Sequence, residues 1–269
     1  MDCKAQALLV DGKTGLGRAL SRALSAAGFA VAECDAERAA VPAECSQVLY
    51  CHDAAQEPER HVAQLDALCQ TLAATRAGRH VRVCVFTPAT VCEDTTKLLR
   101  ERAALRPRTL VGLAHCEAEL LLHSWFARSR GAIRPVIFRH GELYGLETGY
   151  IAECLLRARA RQPLTLPGLG AQKRTLTHVE DLANAAAALL RKEVLPSPIN
   201  LPGESLAVID CMAPIADRFG VELAMGRDCH SEAFPWGLGD CVLATAVAKA
   251  ELPAFRPKHR FREWLQTNA

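Results

Sequence analysis

The sequence predicts an α/β protein with a doubly wound parallel sheet, on three observations. Apolar, β-rich segments alternate with segments of helical spacing. A glycine-rich turn joins the first such strand to the first helix, and after residue 145 the chain becomes richer in proline and glycine. We therefore predict a dinucleotide-binding core over 1–145, rejoined by about 174–201, and a small C-terminal substrate-side subdomain over 146–173 and 202–269. Both parts are expected to form one integrated unit.

Composition excludes several classes of protein. Half of the 269 residues are hydrophobic, 23% are charged and the formal net charge is +2, so no electrostatic property favours nucleic acid or an acidic membrane as partner. The start of the chain lacks the pattern of a signal peptide, and no apolar run reaches the ~18–20 residues of a membrane helix. We expect a cytoplasmic protein. The twelve cysteines and nine histidines are scattered, which favours buried thiols and predicts no metal site.

The elements follow from apolar periodicity and from the positions of glycine and proline. Strands are predicted at 7–10, 29–34, 47–51, 81–86, 135–138, about 174–177 and 199–201. Helices are predicted at 16–27, 57–77, 109–129, 150–162, 179–191, 206–219 and 261–265. Only eleven residues separate Asp35 from Gln47, whereas a βαβ unit needs about 30. One strand-and-helix unit is therefore predicted to be trimmed or missing there.

The glycine turn lies in the stretch ALLVDGKTGLG, residues 7–17. A buried strand precedes Gly12, Gly15 and Gly17, and an amphipathic helix follows them. The free N–H groups and the dipole at such a helix start attract an anion, usually the pyrophosphate of a dinucleotide. The spacing is Gly-x-x-Gly-x-Gly, and an ordinary glycine-rich turn between strand and helix is the alternative.

Asp35 follows the second predicted strand, about 20 positions beyond the glycine turn. Dinucleotide-binding folds place the acidic ligand of the adenosine ribose there. Its carboxylate would accept hydrogen bonds from the ribose and repel a 2′-phosphate, which favours NAD over NADP. Lys13 and Arg38 could instead pair with a phosphate. The alternative for Asp35 is a solvated strand end.

Five stretches together resemble the extended short-chain dehydrogenase/reductase family, in its NAD-dependent epimerase/dehydratase group. They are VDGKTGLGRAL (10–20), VFTPATVCED (85–94), FRHGELYG (138–145), KRTLTHVEDLANAAAALL (173–190) and INLPGESL (199–206). The resemblance implies a Rossmann fold and an NAD(P) cofactor, with NAD favoured. Cofactor contacts are expected from Gly12, Thr14, Gly15, Leu16, Asp35, Cys51, His52, His115 and His140, and substrate contacts from Arg174 and His178. Arg174 could alternatively pair with Glu180 or Asp181.

The catalytic residues of this family have no full counterpart. Members use a tyrosine, a lysine four residues later and an upstream serine or threonine. VGLAHCEAE (111–119) places Val111 at the tyrosine position and His115 at the lysine position, and Pro88 stands at the serine position. No Tyr-x-x-x-Lys occurs anywhere in the chain. Valine cannot exchange a proton in any alignment register.

His115 and Thr90 are the remaining catalytic candidates. His115 could act as a general acid or base, bond a cofactor ribose or have no role. Thr90 could keep the hydroxyl role of the missing serine or simply end a strand. Cys116 could be a nucleophile, although packing is the simpler interpretation.

Two functions follow as hypotheses. The first is an atypical NAD(P)-dependent oxidoreductase or epimerase that acts on a small carbonyl or sugar-like substrate. The second is a non-catalytic NAD(P)-binding sensor or scaffold. The helices at 57–77 and 109–129 resemble those of a four-helix dimer interface in the family, so a homodimer is a further expectation, with an intramolecular core as the alternative.

Overall fold

The computed structural model describes residues 6–35, 41–42, 44–52, 57–75, 79–92, 97–226 and 239–268. The chain divides into two compact units. Unit 1 consists of Met1–Thr87, Leu110–Arg139 and Ala183–Ile199, and unit 2 consists of Pro88–Thr109, His140–Leu182 and Asn200–Ala269. Pro88–Thr109, which the predicted boundaries place in the dinucleotide-binding core, groups with unit 2.

The elements are numbered in chain order. The strands are β1 (Gln6–Val10), β2 (Ala30–Cys34), β3 (Cys45–Tyr50), β4 (Val81–Pro88), β5 (Ile133–His140), β6 (Glu142–Tyr144), β7 (Leu164–Pro167), β8 (Lys173–His178), β9 (Ile199–Asn200), β10 (Glu204–Ala207) and β11 (Leu223–Gly226). The helices are α1 (Gly15–Ala26), α2 (Pro58–Thr75), α3 (Leu110–Arg128), α4 (Tyr150–Arg159), α5 (Val179–Leu190), α6 (Val208–Phe219), α7 (Ala246–Glu251) and α8 (Phe261–Asn268). A single 3-10 turn spans Ala89–Val91.

A six-stranded sheet in the order β2-β1-β3-β4-β5-β9 organises unit 1. β1 pairs in parallel with β2 and β3, and β3 pairs in parallel with β4. The predicted α/β fold with a parallel central sheet is confirmed. Along the chain β3 follows β2, and in the sheet it pairs directly with β1. The predicted loss of one strand-and-helix unit stays a prediction.

The core of unit 1 follows the predicted apolar pattern. The last four residues of β1 are buried, and α1 buries Gly17, Ala19, Leu20, Ala23 and Leu24. The ten cysteines in the described ranges are free thiols, and nine of them are buried. These cysteines therefore act as small apolar core residues, as predicted.

Unit 2 contains two smaller sheets, β10-β8-β6 and β11-β7. The predicted helix start at Leu206 is wrong, because Leu206 lies in β10 opposite Arg174 of β8. Pairing with β8 satisfies the backbone of β10, so the helix α6 begins two residues later at Val208. None of the helices in the described part of the chain is long and apolar enough to cross a bilayer.

Candidate functional site

The carboxyl ends of β1, β2 and β3 are tied together by hydrogen bonds. The N–H of Asp11 donates to the carbonyl of Cys34 (2.9 Å), and the N–H of Cys51 donates to the carbonyl of Val10 (2.9 Å). The chain continues from β1 to β2 on one side and from β3 to β4 on the other, so the edge between β1 and β3 is a topological switch point. Ligands of open α/β sheets bind at such points.

The residues after β1 form a short turn that opens α1. Thr14 is the N-cap: its Oγ1 accepts from the N–H of Gly17 (3.0 Å) and donates to the carbonyl of Cys51 (3.1 Å). The N–H groups of Gly15 and Leu16 make no hydrogen bond to any residue within the described ranges. Free first-turn N–H groups at a helix start can hold an anion.

Gly17 allows α1 to approach the turn closely. A Cβ on Gly17 would lie 2.4 Å from the carbonyl oxygen of Gly12, a separation that no side chain tolerates. A Cβ on Gly12 would meet the side chain of Glu33 at 3.0 Å. Gly17 therefore keeps the helix against the turn, whereas Gly12 lies against a flexible side chain.

Charges of both signs surround the turn. Asp11 adopts a left-handed backbone conformation (φ 58°), which aspartate tolerates better than most residues. Asp35 pairs with Lys13 (Oδ1 to Nζ, 3.4 Å), and both side chains are largely exposed. Arg18 extends over the turn and donates to the carbonyl of Lys13 (2.7 Å). Arg38, the other predicted phosphate partner, lies outside the described residues.

A cluster of rings begins beside the turn. The ring Nδ1 of His52 lies 3.0 Å from Oδ2 of Asp11. The ring centroid of His61 is 5.6 Å from that of His52 and 4.7 Å from that of His115. Tyr50 packs against the same group, with its ring centroid 5.2 Å from that of His61. Contacts therefore run from the glycine turn to His115 within unit 1, and we call His52, His61 and His115 the histidine cluster.

His61 is the member of this cluster that the sequence did not reveal. It starts the buried stripe of α2 that continues with Leu65, Leu68, Cys69 and Leu72. The signal that the sequence offered was a histidine at the first position of an otherwise apolar helix face. Only 2% of His61 is exposed, and burial, reinforced by nearby His52, lowers the pKa of His61 to about 3.

Helix α3 carries Val111 and His115, the two residues that the sequence pattern aligned with the family tyrosine and lysine. Val111 is half-buried and His115 is buried one turn later on the same face. Burial raises the pKa of the neighbouring Cys116 thiol, which opposes the role of a thiolate nucleophile. One further turn along, Glu119 forms a buried pair with Arg139, with Nε to Oε1 at 2.9 Å.

The other predicted site residues lie in unit 2. Thr90 is half-buried in the 3-10 turn, and Arg174 is buried in β8. His178 accepts at Nδ1 from the N–H of Glu180 (3.2 Å) and stacks on His259 with centroids 3.7 Å apart. Burial and the neighbouring His259 lower the pKa of His178 to about 4. Substrate roles for Arg174 and His178 stay predictions.

His140 ends β5 and is buried, with its Nδ1 2.6 Å from the carbonyl oxygen of Gly141. Burial lowers the pKa of His140 from 6.5 to about 4, although this hydrogen bond opposes the shift. The unfolded chain therefore binds a proton below pH 6.5 that the native state refuses until about pH 4. We expect the free energy of unfolding to fall as the pH drops through this window, by up to about 1.4 kcal/mol per pH unit from this residue.

Urea unfolding at pH 7, 6 and 5 checks this expectation. In His140→Phe the free energy of unfolding should depend less steeply on pH than in wild type, by the slope that corresponds to one proton. His80→Phe, at an exposed position, should keep the wild-type pH dependence. An equal slope for wild type and His140→Phe would show that the pKa of His140 in the native state lies close to its value in the unfolded chain.

In the described ranges, no group of three or more His, Cys, Asp or Glu side chains is arranged to hold a metal ion.

Helix α3 exposes Leu110, Leu113 and Leu120. The predicted homodimer stays a prediction.

Residues 72–201 match the model of the NAD dependent epimerase/dehydratase family. The resemblance to this family is confirmed. Comparison with curated protein sequences found no significant match. The matched range contains β4, β5, α3 and β8, so the segments that carry Val111, His115 and Arg174 lie inside the family model.

Solved structures of epimerases and dehydratases share the fold. TunA, described as a novel NAD dependent NDP-hexosamine 5,6-dehydratase involved in tunicamycin biosynthesis, has a TM-score of 0.77 at 19% identity, over 98% of this chain and 96% of that one. MoeE5 in complex with UDP-glucuronic acid and NAD has a TM-score of 0.76 at 20% identity, over 98% and 97%. The UDP-glucose 4-epimerase of Thermus thermophilus, in complex with NAD, has a TM-score of 0.75 at 18% identity, over 97% and 96%. Identities this low show the fold alone.

Proposed function

We propose that this chain binds NAD at the switch point of unit 1 and acts on a nucleotide sugar or a related small carbonyl compound. The observation that carries the proposal is the start of α1, where the N–H groups of Gly15 and Leu16 face no protein partner in the described ranges. The NAD complexes of TunA, MoeE5 and the Thermus epimerase support the choice of cofactor. The nucleotide sugar named with MoeE5 supports the substrate class.

The residues at the turn fit a dinucleotide. Gly15 and Leu16 would hold the pyrophosphate through their N–H groups, and Arg18 supplies a nearby positive charge. Thr14, Cys51 and His52 border the same turn. NAD, when bound, supplies a nicotinamide ring that accepts or donates a hydride.

Asp35 is assigned to the adenosine ribose. Its carboxylate would exchange the exposed contact with Lys13 for hydrogen bonds from two ribose hydroxyls. The same carboxylate repels a 2′-phosphate, so NAD is favoured over NADP. Lys13 lies close enough to Asp35 (3.4 Å) to offset part of that repulsion.

Asp35→Ala is expected to weaken NADH binding by about 1–3 kcal/mol, because hydrogen bonds to a charged group are lost. Binding of NADPH should be unchanged or tighter, since the repulsion is removed. Fluorescence titration of the purified protein measures both affinities. Glu44→Ala, at an exposed carboxylate just before β3, is the matched control and should bind NADH like wild type. Unchanged NADH affinity in Asp35→Ala would remove Asp35 from the site.

Proton transfer falls to His115 in this proposal. Val111 stands where the family places its tyrosine, and a valine side chain can neither donate nor accept a proton. His115 lies one turn away on the same face of α3, and an imidazole can act as an acid or a base near neutral pH. Thr90 is a proposed hydroxyl donor to the substrate.

A non-catalytic NAD sensor or scaffold is the second candidate, and Val111 together with Pro88 favours it. The family carries side chains with a hydroxyl group at these two positions, whereas the side chains of valine and proline cannot donate or accept a proton. A screen of nucleotide sugars and small carbonyl compounds, with the absorbance of NADH as readout, separates the two candidates. Turnover that His115→Ala abolishes supports the enzyme, whereas tight NADH binding without turnover supports the sensor. No binding of NADH or NADPH at millimolar concentration would overturn both.

A further inference from the structure

We propose that His61 is a positioning residue for His115, and that a buried water molecule bridges one ring nitrogen of His61 and Nε2 of His52. The inference rests on the proposed function for the role of His115 and the identity of the nucleotide. The ring contacts themselves do not depend on a bound nucleotide.

The first observation is a set of buried ring nitrogens. Nδ1 and Nε2 of His61 and Nε2 of His52 are inaccessible to solvent and make no hydrogen bond to any residue that the structure describes. More than nine tenths of buried polar groups in proteins have a partner, either protein or ordered water. Unpartnered nitrogens in two adjacent rings therefore indicate a small polar guest between the rings.

The chemistry of the rings selects the guest. Burial keeps His61 neutral, since its pKa is lowered to about 3, so the ring offers one N–H donor and one acceptor nitrogen. A water molecule can both donate and accept, so it can bond whichever His61 nitrogen faces His52, protonated or not, and bond Nε2 of His52 as well. An anion could satisfy only the donors, and a metal ion finds no group of three ligands within the described ranges.

The second observation is that the backbone of His61 is anchored to the sheet. The hydroxyl of Tyr50 in β3 donates to the backbone carbonyl of His61 (2.8 Å), which ties the first turn of α2 to the sheet. His52, on the other side, is held by Asp11 at 3.0 Å. With its backbone anchored and its ring buried (2% exposed), His61 can restrict another ring that packs against it.

The third observation is the contact with His115. The two rings meet edge to face, with centroids 4.7 Å apart and planes inclined by 63°. His115 is 8% exposed, so the His61 ring forms part of the wall that limits its rotation. His61 thereby sets the direction in which the His115 nitrogens face a ligand.

The competing explanation is that His61 only fills space in the core. Phenylalanine would then serve equally well, because it keeps a planar ring and lacks the nitrogens. His61→Phe against His61→Gln separates the two, since glutamine retains a donor and an acceptor. His123→Phe, at an exposed position on α3, is the matched control.

Ring ¹⁵N shifts of His115 in the protein without nucleotide are the first readout. We expect His61→Phe to shift these resonances and to change the ratio of the two neutral tautomers, and His61→Gln to restore them towards wild type. NADH affinity is the second readout, with an expected loss of about threefold to tenfold in His61→Phe and partial rescue in His61→Gln. Wild-type shifts and affinity in His61→Phe would overturn the proposal.

Two further results keep the test decisive. If the wild-type protein binds no NADH, the proposed function fails, and the His115 shifts alone decide whether His61 positions that ring. If His61→Phe does not fold, the ring ¹⁵N shifts of His61 in the wild type decide. Values of hydrogen-bonded nitrogens support the bridge, and values of unbonded nitrogens overturn it.

Discussion

Arg139→Met is expected to lower the free energy of unfolding by about 3–5 kcal/mol, because it leaves the carboxylate of Glu119 buried without its partner. Nε of Arg139 donates to Oε1 of Glu119 at 2.9 Å and a terminal guanidinium nitrogen donates to Oε2 at 2.6 Å. The side chains are only 4% and 2% exposed. At this buried site, two parallel charge-assisted hydrogen bonds offset the cost of removing both ions from water. Either ion without its partner would leave its own desolvation cost uncompensated.

The double variant Glu119→Leu/Arg139→Met supplies the control. Removing both ions together abolishes the desolvation cost along with the attraction, so most of the lost stability should return. Urea unfolding of the wild type, both single variants and the double variant gives the coupling energy. Single-variant losses below about 1 kcal/mol would show that water reaches the pair.

Gly17→Ala is expected to weaken NADH binding by more than about tenfold and to reduce stability by about 1–3 kcal/mol. Its Cβ would lie 2.4 Å from the carbonyl oxygen of Gly12 and 2.6 Å from the Gly12 Cα. Backbone atoms cannot rotate away, so α1 must move from the turn. The first-turn N–H groups would then leave the position in which they face a pyrophosphate.

Gly12→Ala is the matched control for the stability measurement. Its Cβ would meet carboxyl-group atoms of Glu33, and that long side chain can move aside. Thermal unfolding should therefore show a smaller loss for Gly12→Ala than for Gly17→Ala. Equal losses would show that the close contact between Gly17 and the backbone of Gly12 does not set the cost of the Gly17→Ala substitution.

Much of the fold was predictable because each element carries its own local pattern. The apolar residues of β1, the glycines after it and the stripe Ala19, Leu20, Ala23 and Leu24 predict strand, turn and helix correctly. The prediction failed at Leu206, since strand β10 is defined by pairing with β8, which is distant in sequence. Pairing partners across such a distance leave no local signal.

The candidate site was predictable only in part. Asp35 and the glycine turn follow from spacing, whereas the pairing of Asp35 with Lys13 depends on how the turn folds. In the sequence Gly17 is one of three glycines in the turn, and only the structure shows that it lies against the backbone of Gly12. A glycine allows close approach of a ligand or of another backbone segment equally well, so the sequence does not tell which one is present.

The sequence by itself determined that no tyrosine is followed by a lysine four residues later, the spacing of the catalytic pair in the family that the chain resembles. Only the tertiary structure decided what stands beside His115. His52 follows β3, His61 lies in α2 and His115 lies in α3, and these elements meet only when the sheet and its helices pack. Side-chain chemistry is local and is read from single residues, whereas ring contacts depend on packing between distant segments.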